Sequence, residues 1–226
     1  MTERHRELLD RIDALANYDF VRQRLPWHLS ASIVVPGNAG LSSTRHALWF
    51  TEGRVDDALA AACRGIDSWR RLGAAADTLI LRVIANRYAT RYHGRLVTEM
   101  LAGMPLDHAL PPECAQALAP PTPQELSLCA AMRGEFEMIT EVTGPMLKAA
   151  NSRNWWSSLL FFLAYDAEAT TAISAQHLAP ICSERELERV ASDQPDIDRP
   201  EPQGGWRFAC IGNVTGCVLS SIATPS

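Results

Sequence analysis

Six histidines, six cysteines and a short row of arginines are the side chains here whose types suit chemistry. The histidines (His5, His28, His46, His93, His108, His177) never fall four residues apart, and His-Glu-x-x-His is absent. A zinc helix needs two imidazoles on one face, so no metal site is expected. Asp193, Asp196 and Asp198 have oxygens for Ca²⁺ but lack the glycine and closing glutamate of an EF-hand loop, and read as a solvated acidic loop. Around Ser42 the chain runs Gly40-Leu-Ser-Ser-Thr44, which is no nucleophile elbow. Gly37-Asn-Ala-Gly40 has neither the spacing nor the lysine of a phosphate loop. No cofactor is expected. A cysteine paired in space with a histidine is a matter of geometry and is not legible in sequence.

The cysteines (Cys63, Cys114, Cys129, Cys182, Cys210, Cys217) are scattered without a Cys-x-x-Cys pair, and six of them allow 15 pairings. Cys63 and Cys129 sit in apolar helical patterns, where a free buried thiol serves as a small hydrophobe. Arg87, Arg91 and Arg95 recur every four residues, which on an α-helix aligns three guanidinium groups. The row reads as a solvated face, with an anion or an acidic partner as the alternative. Trp155, Trp156, Phe161 and Phe162 are either core or an aromatic anchor for a protein partner. Asn213-Val-Thr215 fits a glycosylation acceptor and reads as coincidence.

Bulk properties exclude more than they select. At 226 residues, 47% hydrophobic and 21% charged, the chain can bury a sizeable core. Its net charge of −5 divides into +3 over residues 1–100 and −8 over 101–226. An acidic chain is a poor nucleic-acid binder. Lys148 is the one lysine among 21 basic residues, a bias that reads as codon usage in a GC-rich genome, with bidentate anion recognition as the sharper alternative. Met1 to Arg11 is polar, unlike a secretory signal. The most apolar run, Trp155 to Tyr165, is too short to cross a bilayer. These features predict a cytoplasmic protein, or a periplasmic one if a leader or anchor has been removed or lost.

The elements that must position these groups are helices. Leu8, Leu9, Ile12 and Leu15 mark one face of an amphipathic helix ending near Asn17. Ile33-Val-Val35 before Pro36 reads as a short extended piece. Ser42 or Ser43 is expected to cap a helix to Thr51, with Gly53 making the turn into a second helix carrying Val55, Leu59, Cys63, Ile66 and Trp69. The phrase from Gly53 to Leu59 resembles the turn and second helix of a tetratricopeptide repeat, but no second copy follows 34 residues on, at Arg87. Asp67 and Arg71 should pair. A third helix is expected to bury Leu79, Ile80, Val83, Ile84, Tyr88 and Tyr92.

Six prolines fall between Gly103 and Pro123, a rigid connector with a short helix around Glu113 to Leu118. Thr122, Pro123 and Glu125 form a capping box opening a helix through Leu126, Cys129 and Ile139 that Gly144-Pro145 should end or kink. A further helix is expected from about Asn154 to Gln176, and a capped one from Ser183 to about Ser192. Asn213 to Ala223 is a candidate last helix.

Several phrases taken together carry a resemblance: Ser68-Trp-Arg-Arg71, Asp77-Thr-Leu-Ile80, Glu125-Leu-Ser-Leu128, Arg133-Gly-Glu-Phe136 and Gly212-Asn-Val-Thr-Gly216. Over roughly 55–226 the chain resembles a set of gammaproteobacterial (Xanthomonas-like) helical proteins, usually membrane-anchored and without an established activity. The relatives tend to read Asn-Pro-x-Gly at Asn213 to Gly216 and extend beyond both ends of this chain. The resemblance implies no functional residue.

The reading is therefore an all-α, irregular helical bundle with a TPR-like hairpin, one domain over 1–226 or subdomains 1–103 and 122–226 about the connector. Function points to a helical protein-binding module, in its specific form an immunity or accessory protein for a bacterial toxin or secretion component. The binding candidates are Arg87, Arg91, Arg95, Trp155, Trp156 and Phe161. The alternatives are an enzyme assembled around the arginine row with Glu135, and a structural homo-oligomer.

Overall fold

The computed structural model describes residues 5–18, 39–150, 165–193 and 213, with side chains of 142–150 excepted. Every element among them is helical. The chain divides into two compact units, one of 1–23 with 33–126 and one of 24–32 with 127–226. The proline-rich stretch lies within the first. Trp155, Trp156 and Phe161, the short extended piece at Ile33 to Val35 and most of the expected last helix lie outside the described residues.

In the first unit α1 (Arg6–Asp13) runs into a 3₁₀ turn, Ala14–Asn17. It buries Leu9 and Ile12, and Arg11 bonds Glu7 one turn back at 2.7 Å. Helix α2 (Leu41–Thr51) and α3 (Val55–Ala74) form a hairpin. Gly53 makes its turn at φ 84°, a left-handed conformation open to glycine at no steric cost. The hydroxyls of Ser42 and Ser43 donate back to the carbonyls of Ala39 and Gly40 instead of capping. The cap position falls earlier, at Gly40, so both serines lie inside the first turn.

Helix α3 is the axis of this unit, and α2, α4 (Leu79–Arg87), α5 (Arg95–Ala102), α6 (Pro112–Ala117) and α7 (Pro123–Leu126) all pack on it. Its composition explains that role. Ala58, Ala61 and Ala62 are buried beside Leu59, Cys63 and Ile66, and small side chains let neighbouring helices come close. A Cβ at Gly73 would lie 3.0 Å from Ala85 Cβ. One core cluster joins Leu59, Ile66, Val97 and Met100, and another joins Ile12, Leu72, Ala85 and Tyr88, with Trp69 stacked on Tyr88 at 4.6 Å. Burying a leucine side chain such as Leu59 contributes about 1.5–3 kcal/mol. Arg71 bonds Asp67 at 3.0 Å as its spacing requires and also reaches Ala16 O.

Thr78 Oγ1 accepts the Leu81 N–H and starts α4. The buried side of this stretch is the predicted one only in part: Tyr88 is buried and Ile84 and Tyr92 pack against the core, but two expected core residues are not. Ile80 and Val83 are 44% and 64% exposed, while Ala85, Tyr88, Ala89 and His93 are buried. Ile80 and Val83 lie in regular α4, on the side away from Ala85, whose small side chain faces Gly73 of α3. Tyr88–Gly94 is a π-helical turn between α4 and α5, where each hydrogen bond spans one extra residue, so an α-helical wheel does not carry past Tyr88.

Arg70 closes the unit. Its guanidinium meets both oxygens of Glu125 at 2.8 and 2.9 Å, and donates to Ala117 O and Ala119 O at 2.9 and 2.8 Å. Thr122 and Glu125 exchange hydrogen bonds as the capping box predicts. The helix they start is only one turn long, however. It breaks at Ser127–Leu128, where Ser127 Oγ accepts the Cys129 N–H and so caps the next helix afresh.

In the second unit α8 (Cys129–Ala150) continues through Gly144–Pro145. The predicted end there does not occur. Nor does one helix run from Asn154 to Gln176: Tyr165 and Asp166 are non-helical, and Asp166 Oδ1 accepts the Ala169 N–H to begin α9 (Ala167–Leu178). A 3₁₀ turn, Ala179–Cys182, leads into α10 (Glu184–Ala191), capped by Ser183 Oγ as expected. Asn213 is 1% exposed. Its Oδ1 accepts the Asp166 N–H at 2.9 Å and its Nδ2 donates to Thr170 Oγ1 at 3.0 Å. The asparagine of the glycosylation-like triplet thus braces the start of α9.

Cys63 is bonded to Cys114, and Cys129 to Cys182, which overturns the free-thiol reading of Cys63 and Cys129. Cys63 is buried among apolar side chains as its pattern suggests, and a half-cystine fits there as well as a thiol, whereas Cys129 is only half-buried.

Candidate functional site

The polar groups that converge inside the first unit are Ser42 and His46 on α2 and His93 in the π-helical turn. All three are at most 2% exposed. The imidazoles lie 5.7 Å apart between centroids, and His46 also lies 5.5 Å from the Trp49 ring. Asp13, at the end of α1, brings Oδ2 to 4.0 Å from His46 Nε2 and is held by Arg45, which also bonds Asp10 at 2.9 Å.

Hydrogen-bond direction decides what the Ser42–His93 contact can do. The Ser42 hydroxyl has one proton and donates it to Ala39 O at 3.0 Å, so its oxygen accepts from His93 Nε2 at 3.4 Å. The proton of His93 is thereby assigned to Nε2 and its lone pair to Nδ1. A general base activating a serine needs the opposite polarity. His93 Nδ1 has no hydrogen-bond partner, and His46 has none on either nitrogen.

Burial moves both histidines down to about 4, with Arg45 and Arg64 adding to the shift of His46 and His46 adding to that of His93. Each is neutral at pH 7, as a desolvated imidazole beside guanidinium groups should be. The packing around His93 leaves no slack. A Cβ at Gly65 of α3 would stand 2.5 Å from His93 Nδ1 and 2.9 Å from Cγ. Gly65→Ala is therefore expected to lower unfolding stability by about 1–3 kcal/mol, overpacking outweighing the helix propensity gained. Chemical denaturation measures it, and an unchanged or raised midpoint contradicts this packing.

The arginine row is not the straight stripe that fourfold spacing implies. Arg87, Arg91 and Arg95 are all exposed, but the π-helical turn lies between the first and the last. Arg95 pairs with Glu99 at 2.7 Å, and the Arg87 guanidinium lies 6.0 Å from the Tyr92 ring centre. Beside Arg87 on α4 are the two residues expected in the core, Val83 and Ile80. Sequence reasoning also passed over His46 and His93. They lie 47 residues apart in sequence, and only the fold puts them side by side. Among the described residues no group of three or more His, Cys, Asp or Glu side chains is arranged to hold a metal ion, and no helix is long and apolar enough to cross a membrane.

No family model, no curated protein and no solved structure matches this chain.

Proposed function

We propose that this chain is a helical protein-binding module, in its specific form an immunity or accessory protein that holds a bacterial toxin or a secretion component, and that it acts in an oxidising compartment such as the periplasm. The observation that carries the reading is the outward face of α4. Ile80, Val83 and Arg87 follow one another at helical spacing, and all three are exposed. An apolar pair bordered by a guanidinium group, with Arg91 next along the chain, is the composition of a protein-contact surface, where arginine and buried apolar anchors dominate affinity. An acidic, apolar-edged protein surface suits it. Two disulfides among the described residues support the oxidising compartment, because thiols stay reduced in the cytosol.

The test uses the oxidised full chain and the purified product of the gene adjacent to its own in the native genome. Binding by calorimetry is expected, and Val83→Asp with Arg87→Glu should weaken it by about 2 kcal/mol, roughly thirtyfold in Kd, with helical content unchanged. No binding by that product, or equal binding by the folded double variant, removes the reading.

A further inference from the structure

We propose that the His46–His93 pair is an acid-operated latch: proton uptake by the two rings releases α2 from α3, while the Cys63–Cys114 bond keeps α3 and α6 together. The argument starts from the unmet hydrogen-bonding capacity of these rings. A second proton on His93 goes to Nδ1, which faces Gly65 of α3 with no acceptor at hand. A second proton on His46 finds the Asp13 carboxylate 4.0 Å away and already held by Arg45. Two cations would then stand with their rings 5.7 Å apart, the one on His93 without a counter-charge beside it, and a buried charge without a partner is strongly unfavourable.

The other charged groups do not relieve this. From α1 come Asp10 and Asp13, both engaged by Arg45 of α2. From α3 comes Arg64, which is cationic itself and paired with Glu113 of α6 at 2.8 Å. Arg54 lies over Trp49 at 4.5 Å and bonds Asp57. On α5 the charged pair is Arg95 and Glu99, both well exposed. In the closed form burial keeps both rings neutral down to about pH 4, so the latch is closed at neutral pH.

What opens is set by how each element is fastened. Cys63 ties α3 to α6 covalently. Helix α2 is joined covalently to α3 only through the turn at Gly53, where the Gly53 and Arg54 N–H groups bond Phe50 O and Trp49 O, and no disulfide ties it down. Trp49 and Phe50 of α2 pack against the cluster of Ala58, Leu59 and Cys63, so release bares that apolar surface. Helix α1 stays with α3, to which the cluster around Ile12 and the Arg71–Ala16 bond hold it, so opening parts Arg45 from Asp10 and Asp13.

The signs follow from linkage. In the open form each histidine titrates near 6.5 and in the closed form near 4, so the open form binds more protons between those values and acid favours it. Two protons raise the opening constant by up to about a hundredfold per pH unit. Hydrogen exchange on the oxidised full chain from pH 7 to 4, corrected for intrinsic rates, should show residues 41–51 losing protection with that steepness while α3 and α6 keep theirs. Protection should return at pH 7. His46→Gln should reduce the slope to about tenfold per unit. If that variant does not fold, the ring-proton titrations of the native chain decide, and both rings should shift together with the opening. Rings titrating near 6.5 with α2 still protected would overturn the latch. So would α2, α3 and α6 losing protection together.

Discussion

Replacing Cys63 and Cys114 together by alanine is expected to cost the first unit about 4 kcal/mol, read as a fall in the denaturant midpoint against the oxidised chain. The bond closes a separation of 51 residues, and the entropy removed from the unfolded chain by a loop of that length is about 4 kcal/mol. Both half-cystines lie at most 1% exposed in the cluster with Leu59 and Met100. Their replacement therefore also leaves space that the packed helices fill only in part. Cys129–Cys182 closes a similar separation, 53 residues, but both its cysteines are only half-buried. Mild reductant without denaturant should open Cys129–Cys182 first, with alkylation and peptide mapping as the readout. A change below about 1 kcal/mol in the alanine pair, or first reduction of the buried bond, would contradict this account.

Arg70→Met is expected to destabilise the same unit by about 3 kcal/mol, the cost of leaving a mostly buried partner unpaired. The Arg70 and Glu125 side chains are 19% and 18% exposed and joined by two hydrogen bonds. The same guanidinium holds the carbonyls of Ala117, the last residue of α6, and of Ala119 just beyond it. Burial pushes the Glu125 carboxyl upward, but the bonds from Arg70 and Thr122 pull it below its ordinary range. The folded form therefore favours the carboxylate. Its stabilisation is present above the ordinary carboxylate range and is lost as pH falls through the lowered value. Arg70→Lys should recover only part of the loss, because an ammonium cannot span two carboxylate oxygens and two carbonyls at once. Full recovery by lysine would show that charge alone, without the fork, holds α6 and α7.

The same two contacts show how much was legible beforehand. The Thr122–Glu125 capping box is local, four residues with fixed chemistry, and could be read directly. The partner of Glu125 could not. Arg70 lies 55 residues away and is one of 21 basic residues with no local mark to distinguish it. Helix starts were recovered where a cap or turn residue encodes them, at Gly53, Thr122 and Ser183. They were missed where a break lacks strong punctuation, between α7 and α8 at Ser127–Leu128 and ahead of α9 at Tyr165–Asp166. The straight arginine row failed because a π-helical turn between Arg87 and Arg95 changes the rotation per residue, which helical wheels assume to be constant. Ile80 and Val83 failed inside regular α4, where the approach of Gly73 brings the small Ala85 inward instead.

By itself the sequence determined the helical class, because apolar side chains three and four apart need one continuous backbone conformation to share a face. It also determined the hairpin at Gly53 and the local caps. Tertiary structure decided which cysteines meet, which face of α4 turns to solvent, and that His46 and His93 are neighbours. Those are relations across 47 to 53 residues. No local periodicity records them, since they arise only when α3, with its alanines and glycines, lets several helices pack against it at once.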